Sequence, residues 1–339
     1  MLGLDISASS VKLVELRKTG SSYRVTRFAV EGMPENAVSD KLIVDIEAAG
    51  DAVRRVWKRS GSHLKRAAIA IGGAAVITKT LTIPSALSAR ECEEQVGLAA
   101  SNLIPFPMEE VAWDFELLGP LKDEPETQEA LLVATRRENV EHRQAVLEFA
   151  GLKAEIVDCE SFAIENAFTL VSGADESPRA LLDIGATTTT CSVFANGRLV
   201  YTREQPFGGS QLTAEIMSSY GLSYEEAGRA KRNGGLPDDY EEKVLAPFLD
   251  NMAEEAGRAL QFYRAAASDG GMVEHVTLCG GCAALPGAVE AVAGRLDLPV
   301  ELIDPLGVLN PTARSRAGGI ERDAPSILVA CGLALRSFQ

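Results

Sequence analysis

The 339-residue chain contains no Gly-Lys-Ser or Gly-Lys-Thr anywhere, which excludes a P-loop nucleotide site. It has no long apolar run: the longest, Ala67 to Ile77, is broken by Gly72 and Gly73 and is too short to span a bilayer. Positive charge is short as well. Lys and Arg number 33 against 48 Asp and Glu, and the net charge of −15 excludes the basic surface that nucleic acid or an anionic membrane would require. The three histidines, His63, His142 and His275, show no ligand spacing towards the lone CxxC at Cys279-Gly-Gly-Cys282. Without a second pair that motif reads as a Gly-rich turn rather than a zinc site, and the six scattered cysteines read as free thiols of a reducing compartment. Met1 runs directly into an apolar stretch carrying Asp5, so no signal peptide is expected and the location expected is cytoplasmic.

What is present is a repeat. Leu4-Asp5-Ile6-Ser7-Ala8-Ser9-Ser10 returns as Leu182-Asp183-Ile184-Gly185-Ala186-Thr187-Thr188. Each copy is an apolar strand ending in an aspartate, then a turn of small and hydroxyl residues, then a second apolar strand. Small residues let backbone approach a ligand, and successive N–H groups and hydroxyls can nest an anion. A strand-end aspartate can hold magnesium through its waters. One copy alone is an ordinary β-turn. Two in matching order point to paired hairpins that clamp a nucleotide's phosphates between two half-domains.

Between the copies the pattern is strand, helix and strand. A helix is expected over Asp40 to Arg59, from apolar residues at Leu42, Ile43, Ile46, Ala49, Val53 and Val56. An α+β module follows over about 75–151. It comprises a strand to Pro84, a helix opened by the capping pair Ser88 and Glu91, two strands around an acidic loop at Lys122 to Gln128, and a helix closed by Gly151. A polar stretch at 173–178 separates the halves. Asn196-Gly197 marks a hairpin, and Ser223 with Glu226 a second capping pair. A long helix is expected over Asp239 to Ala267 with a break at Pro247, then a helix over Pro286 to Leu296 and a last one over Ser326 to Ser337.

This arrangement resembles the actin, hexokinase and Hsp70 superfamily. Its five signature stretches fall in order at Asp5 to Lys12, Asp158 to Phe168, Asp183 to Thr188, Leu278 to Gly287 and Ser326 to Leu335. Within it, DISASSVKLVEL, IPFPMEEVAWDFELL, GLKAEIVDCESFAIENAF and CGGCAALPG are similar to the PilM family of type IV pilus assembly proteins, relatives of FtsA. The resemblance implies an α/β fold of duplicated actin-like (RNase H-like) halves around a nucleotide cleft. An FtsA-type 1C insertion would sit in the first half and a helical 2B insertion in the second. It implies subdomain 1A at 1–74, 152–178 and 323–339, 1C at 75–151, 2A at 179–210 and 268–322, and 2B at 211–267.

It further implies ATP and magnesium as cofactors. Ser7, Ala8, Ser9, Ser10 and Lys12 would face the phosphates from one side and Gly185, Ala186, Thr187 and Thr188 from the other, and Gly208 and Gly209 would also contact the nucleotide. Gly280, Gly281 and Ala283 would receive ribose and adenine, Lys231 would approach the nucleoside, and Asp5 and Asp183 would hold magnesium through water. Gly228 stands where FtsA and MreB relatives often carry a ribose-binding glutamate. Glu160 matches a residue that positions the attacking water in relatives, or is a carboxylate favoured at a helix N-terminus; ATPase activity would be slow or conditional.

The implied partner is the cytoplasmic N-terminal tail of the inner-membrane protein PilN, in a groove between 1A and 1C. Pro105 and Phe106 would line or brace that groove. Other pilus assembly proteins and copies of itself are further possible partners. The expected location is peripheral at the inner face of the membrane, since the FtsA-type amphipathic anchor does not follow Leu335 to Gln339. Two alternatives stand beside this one: an FtsA-like cytoskeletal protein, and a small-molecule kinase of the same superfamily.

Overall fold

The computed structural model describes residues 1–121, 123–173, 177–267 and 272–339. Lys122 of the expected acidic loop, residues 174–176 of the expected separator, and 268–271, at the expected start of the second part of 2A, lie outside them.

In the first half, β1 (Leu2–Ile6), β2 (Ser10–Thr19) and β3 (Ser22–Gly32) form an antiparallel meander. A small hairpin, β4 (Val38–Ser39) and β5 (Leu42–Ile43), precedes α1 (Ile46–Ser60) and β6 (Arg66–Ile71). The inserted module is β7 (Val76–Pro84), α2 (Ala89–Leu103), β8 (Val111–Pro120), β9 (Thr127–Arg136) and α3 (Arg137–Phe149). The chain then returns through β10 (Lys153–Cys159) into α4 (Glu160–Ser172). In the second half β11 (Arg179–Ile184), β12 (Thr189–Ala195) and β13 (Arg198–Gln205) repeat the meander. They are followed by α5 (Gly209–Tyr220), α6 (Tyr224–Asn233), α7 (Ala246–Ala266), β14 (His275–Cys279), α8 (Ala288–Leu296) and β15 (Val300–Leu302). Three short helices close the chain: α9 (Ala313–Ala317), α10 (Ile320–Asp323) and α11 (Leu328–Leu335).

The two main sheets have the same order. The first runs β10-β6-β1-β2-β3 and the second β15-β14-β11-β12-β13, antiparallel in the meander and parallel where helices cross over. The repeat seen at Asp5 and Asp183 is therefore a repeat of whole half-domains. One apolar cluster joins them: Val14, Phe28, Phe168 and the whole of α11 pack with Leu181, Phe194 and Ile303. The module has its own cluster, in which α2 covers one face of the three-stranded sheet β7-β9-β8 through Cys92, Val96 and Ala100.

Local signals held where backbone chemistry is local. Both capping boxes form, at Ser88–Glu91 and Ser223–Glu226. Asn196 and Gly197 take φ of 53° and 72°, the two left-handed residues of a tight hairpin. Three boundaries differ from the periodicity. The helix expected from Asp40 begins at Ile46, because the Asp45 side chain accepts from the Ala48 N–H and caps it there. Leu42 and Ile43, in phase with the helix, are instead the short strand β5. No break occurs at Pro247; a π-helical turn over Glu241–Leu245 runs into α7, with the proline in its first turn. Proline offers no N–H to the carbonyl four residues back, and a widened turn absorbs that loss. Finally, α8 starts at Ala288, after Gly287 turns left-handed at φ 80°, leaving Pro286 outside it.

Candidate functional site

Between the halves lies a cleft of about 1470 Å³, lined from both. Its first-half wall carries Asp5, Ser7, Ala8, Ser9, Ser10, Lys12 and Glu160. Facing these are Asp183, Gly185, Ala186, Thr187, Thr188, Gly209, Lys231, Gly280 and Gly281. Asp5 pairs with Lys12 in the β1–β2 register, so both side chains stand on one face. Lys12 Nζ donates to Asp5 Oδ2 at 2.7 Å and to Ser7 Oγ at 3.4 Å. Burial opposes the charge of Lys12, but the neighbouring Asp5 carboxylate raises its pKa above the ordinary lysine value.

Asp183 is placed differently. Among the described residues its side chain has no hydrogen bond or ion pair, and burial, with Glu160 nearby, pushes its pKa up to about 6. Burial disfavours a lone carboxylate, and a cation brought to it would restore the charged form. A divalent ion therefore fits Asp183 well. Asp5 already has a positive partner. Of the two carboxylates, Asp183 is therefore the freer to meet an ion, directly or through its bound water.

The glycines have definite reasons. Gly280 has φ 90°, and a Cβ there would stand 2.4 Å from Asp183 Oδ1. Its N–H donates to Pro325 O at 2.8 Å, tying this turn to the segment before α11. A Cβ on Gly72 would stand 1.9 Å from Glu160 Oε2, so the bare backbone of Gly72 makes room for that carboxylate. Gly228 lines the cleft and faces open space: a Cβ there would meet nothing within 4 Å.

Two expected residues are not on the wall. Gly208 lies behind the second loop, where a Cβ would meet the Ala186 carbonyl at 2.6 Å, so a bare backbone is needed for the loop to pack there. Ala283 is 1% exposed and belongs to the second-half core, because the turn aims it inward. Lys231 lines the cleft and also braces it: Nζ donates to Gly209 O at 2.8 Å and Thr213 Oγ1 at 2.7 Å. Burial lowers its pKa. Pro105 and Phe106 lie in the inserted module, away from the cleft; Pro105 is exposed, while Phe106 packs on the module's core beneath the Arg136 guanidinium at 4.3 Å.

Sequence reasoning missed Lys41 and Arg143, which line the cleft, and Glu204, which Lys41 reaches. Lys41, on the β4–β5 turn, donates to Glu160 Oε1 at 2.9 Å and to Glu204 Oε1 of β13 at 2.5 Å. Arg143, 4% exposed, donates to the Lys41 carbonyl at 2.7 Å. Only Arg143 left a trace in the sequence: it shares a helix face with the buried Val146 and Leu147.

Comparison with known proteins agrees with this architecture. The model of the family described as type IV pilus assembly protein PilM matches residues 3–338. The cell division protein FtsA of Bacillus subtilis is 25% identical over 256 residues, 69% of this chain and 58% of that protein. FtsA of Streptococcus pneumoniae is 24% identical over 358 residues, covering 91% and 77%. Among solved structures, the PilM-PilN type IV pilus biogenesis complex superposes with a TM-score of 0.81 at 27% identity, covering 100% of this chain and 98% of that one. The ethanolamine utilization protein EutJ of Carboxydothermus hydrogenoformans shares the fold, with a TM-score of 0.57 at 19% identity, covering 98% and 88%. No helix among the described residues is long and apolar enough to cross a membrane. With its duplicated halves, its cleft and a family match along almost its whole length, this chain belongs to the PilM family of type IV pilus assembly proteins, on the actin-like fold.

Proposed function

We propose that this chain is the ATP-binding, actin-like component of the pilus inner-membrane assembly complex and that it takes up the cytoplasmic N-terminal tail of PilN. The observation that carries the nucleotide half is the pair of facing hairpins, with Lys12 on one side and the unpartnered Asp183 on the other. Bound ATP would lie between Ser7–Ser10 and Gly185–Thr188, with magnesium held through water by Asp183 and, less strongly, Asp5. Glu160 borders the same space and can orient a water, but Lys41 holds its carboxylate, which fits slow or conditional hydrolysis.

Calorimetric titration with MgATP tests this. The folded pKa of Asp183, about 6, lies above its ordinary 3.8, so the fold favours the protonated acid. Its contribution to stability is full below pH 3.8 and is lost as pH rises through 6. Metal binding runs the opposite way, since it needs the carboxylate. Affinity for MgATP is therefore expected to rise through pH 6, being about tenfold weaker at pH 5 than at pH 7.5. Asp183→Ala should weaken binding about tenfold at pH 7.5 and flatten this profile. Unchanged affinity in the folded variant would remove the site assignment.

The partner half rests on the family and on the structural likeness to a PilM-PilN complex. In this chain α2 covers only one face of the β7-β9-β8 sheet. On the other, Thr78 and Thr80 are exposed and Leu131 and Val133 half-buried, a surface on which an extended peptide could lay apolar side chains. Because Phe106 packs inward, the 104–107 turn braces the module rather than lining this face. Titration with the PilN tail peptide should give saturable binding, weakened about tenfold by Val133→Glu. Equal binding by the folded variant would place the tail elsewhere, and no binding by the intact protein would remove the scaffold role.

A further inference from the structure

Lys41 occupies an unusual position. It and Asp40 form the β4–β5 turn with φ of 62° and 47°, both left-handed and neither glycine. Such residues persist where surroundings hold them, at about 1 kcal/mol or more each. Here the holding group is Arg143, whose buried guanidinium grips the Lys41 carbonyl from α3. The amine is thereby delivered into the cleft, between the halves. It touches Glu160 of the first half and Glu204 of the second. Gly73 allows the approach, since a Cβ there would stand 3.0 Å from Glu204 Oε2. Among the described residues the Glu204 carboxylate accepts one further hydrogen bond, from Thr190 Oγ1 at 3.5 Å, and Thr190 itself lines the cleft beside the second loop.

An ammonium has three hydrogens to donate. Two are directed at the glutamates, and the third has no acceptor among the described residues. Lys41 lines the same cleft as both phosphate-loop candidates. A phosphate entering there would compete with Glu204, the more exposed of the two carboxylates at 29% against 22% for Glu160. The terminal phosphate of a triphosphate brings more negative charge to this end of the cleft than a diphosphate does, and is the stronger competitor.

We propose that Lys41 is the residue by which the cleft distinguishes a nucleoside triphosphate from a diphosphate, with Glu204 of the second half as its acceptor until a terminal phosphate replaces it. This rests on the nucleotide reading above. Exchange of the ammonium from Glu204 to the ligand would release one contact between the halves, so the same residue links the identity of the nucleotide to how the halves engage. No bond is made or broken in this step; the amine only changes acceptors.

The test is the ratio of ATP to ADP affinity, measured with magnesium by calorimetry on the intact protein, Lys41→Gln and Glu204→Gln. Lys41→Gln is expected to weaken ATP about tenfold and leave ADP within about twofold, as for loss of one charge-assisted hydrogen bond. Glu204→Gln should act with the opposite sign. It frees the amine without removing it, so ATP tightens by roughly threefold while ADP is unchanged. A merely structural Lys41 would shift both nucleotides together. An unchanged ATP-to-ADP ratio in Lys41→Gln would overturn the proposal while leaving the nucleotide site intact. Binding of neither nucleotide by the intact protein would overturn both. If Lys41→Gln fails to fold, Glu204→Gln decides alone, and absence of tightening counts against the proposal.

Discussion

Gly332→Ala is expected to destabilise the protein by about 3 kcal/mol or more, beyond what an added methyl costs in most cores. The position is where α11 crosses α4. A Cβ there would stand 1.8 Å from the Ala163 carbonyl oxygen and 2.5 Å from its carbon, both backbone atoms that no rotamer change can move. The helices would have to separate, yet α11 is pinned from its other side as well. A Cβ on Gly3 of β1 would stand 2.0 Å from Ala330 O, so the strand and the helix are also in direct backbone contact. Every residue of α11 is buried. The strain therefore spreads into α4, whose first residue is Glu160. Chemical denaturation should show the loss of stability, and the surviving folded fraction should bind MgATP more weakly because Glu160 and its neighbours move. A loss below about 1 kcal/mol would mean that the two helices do not cross this closely.

Arg336→Met is expected to cost about 3 kcal/mol, and more than Asp158→Asn at neutral pH. The guanidinium reaches Asp158 with Nε to Oδ2 at 2.6 Å and Nη2 to Oδ1 at 3.0 Å, a two-pronged contact between the segment after α11 and the end of β10. The partners differ in burial, with the Asp158 side chain 3% exposed and that of Arg336 30%. Removing the arginine leaves the buried carboxylate without its cation, and among the described residues only the Cys159 N–H still donates to it. Removing the carboxylate's charge leaves an arginine that can turn towards water. The order of the two effects is thus set by which charge is stranded. Denaturation of both single variants and the double variant checks it; additive losses would show that the pair is not coupled. Asp158 lies two residues before Glu160, so these variants also report how firmly the first connecting segment is held.

The paired hairpins, both capping boxes and the Asn196-Gly197 turn could be read from the sequence because each depends on chemistry between residues at most a few positions apart. A serine reaches the N–H three residues on, and two left-handed residues close a tight turn, whatever surrounds them. Repetition carried the argument one level further, since Asp5 and Asp183 end equivalent strands of sheets with the same order. Tertiary structure alone decided the rest. Lys41 meets a glutamate 119 residues away and another 163 residues away, and its carbonyl meets an arginine 102 residues away. No periodicity records such a meeting, because it is made by the packing of one half on the other. The same holds for Gly208 and Ala283, which belong to loops of the right composition but do not line the cleft. Composition tells that a turn is small enough to approach a ligand; only the packed sheets decide which of its atoms face the cleft.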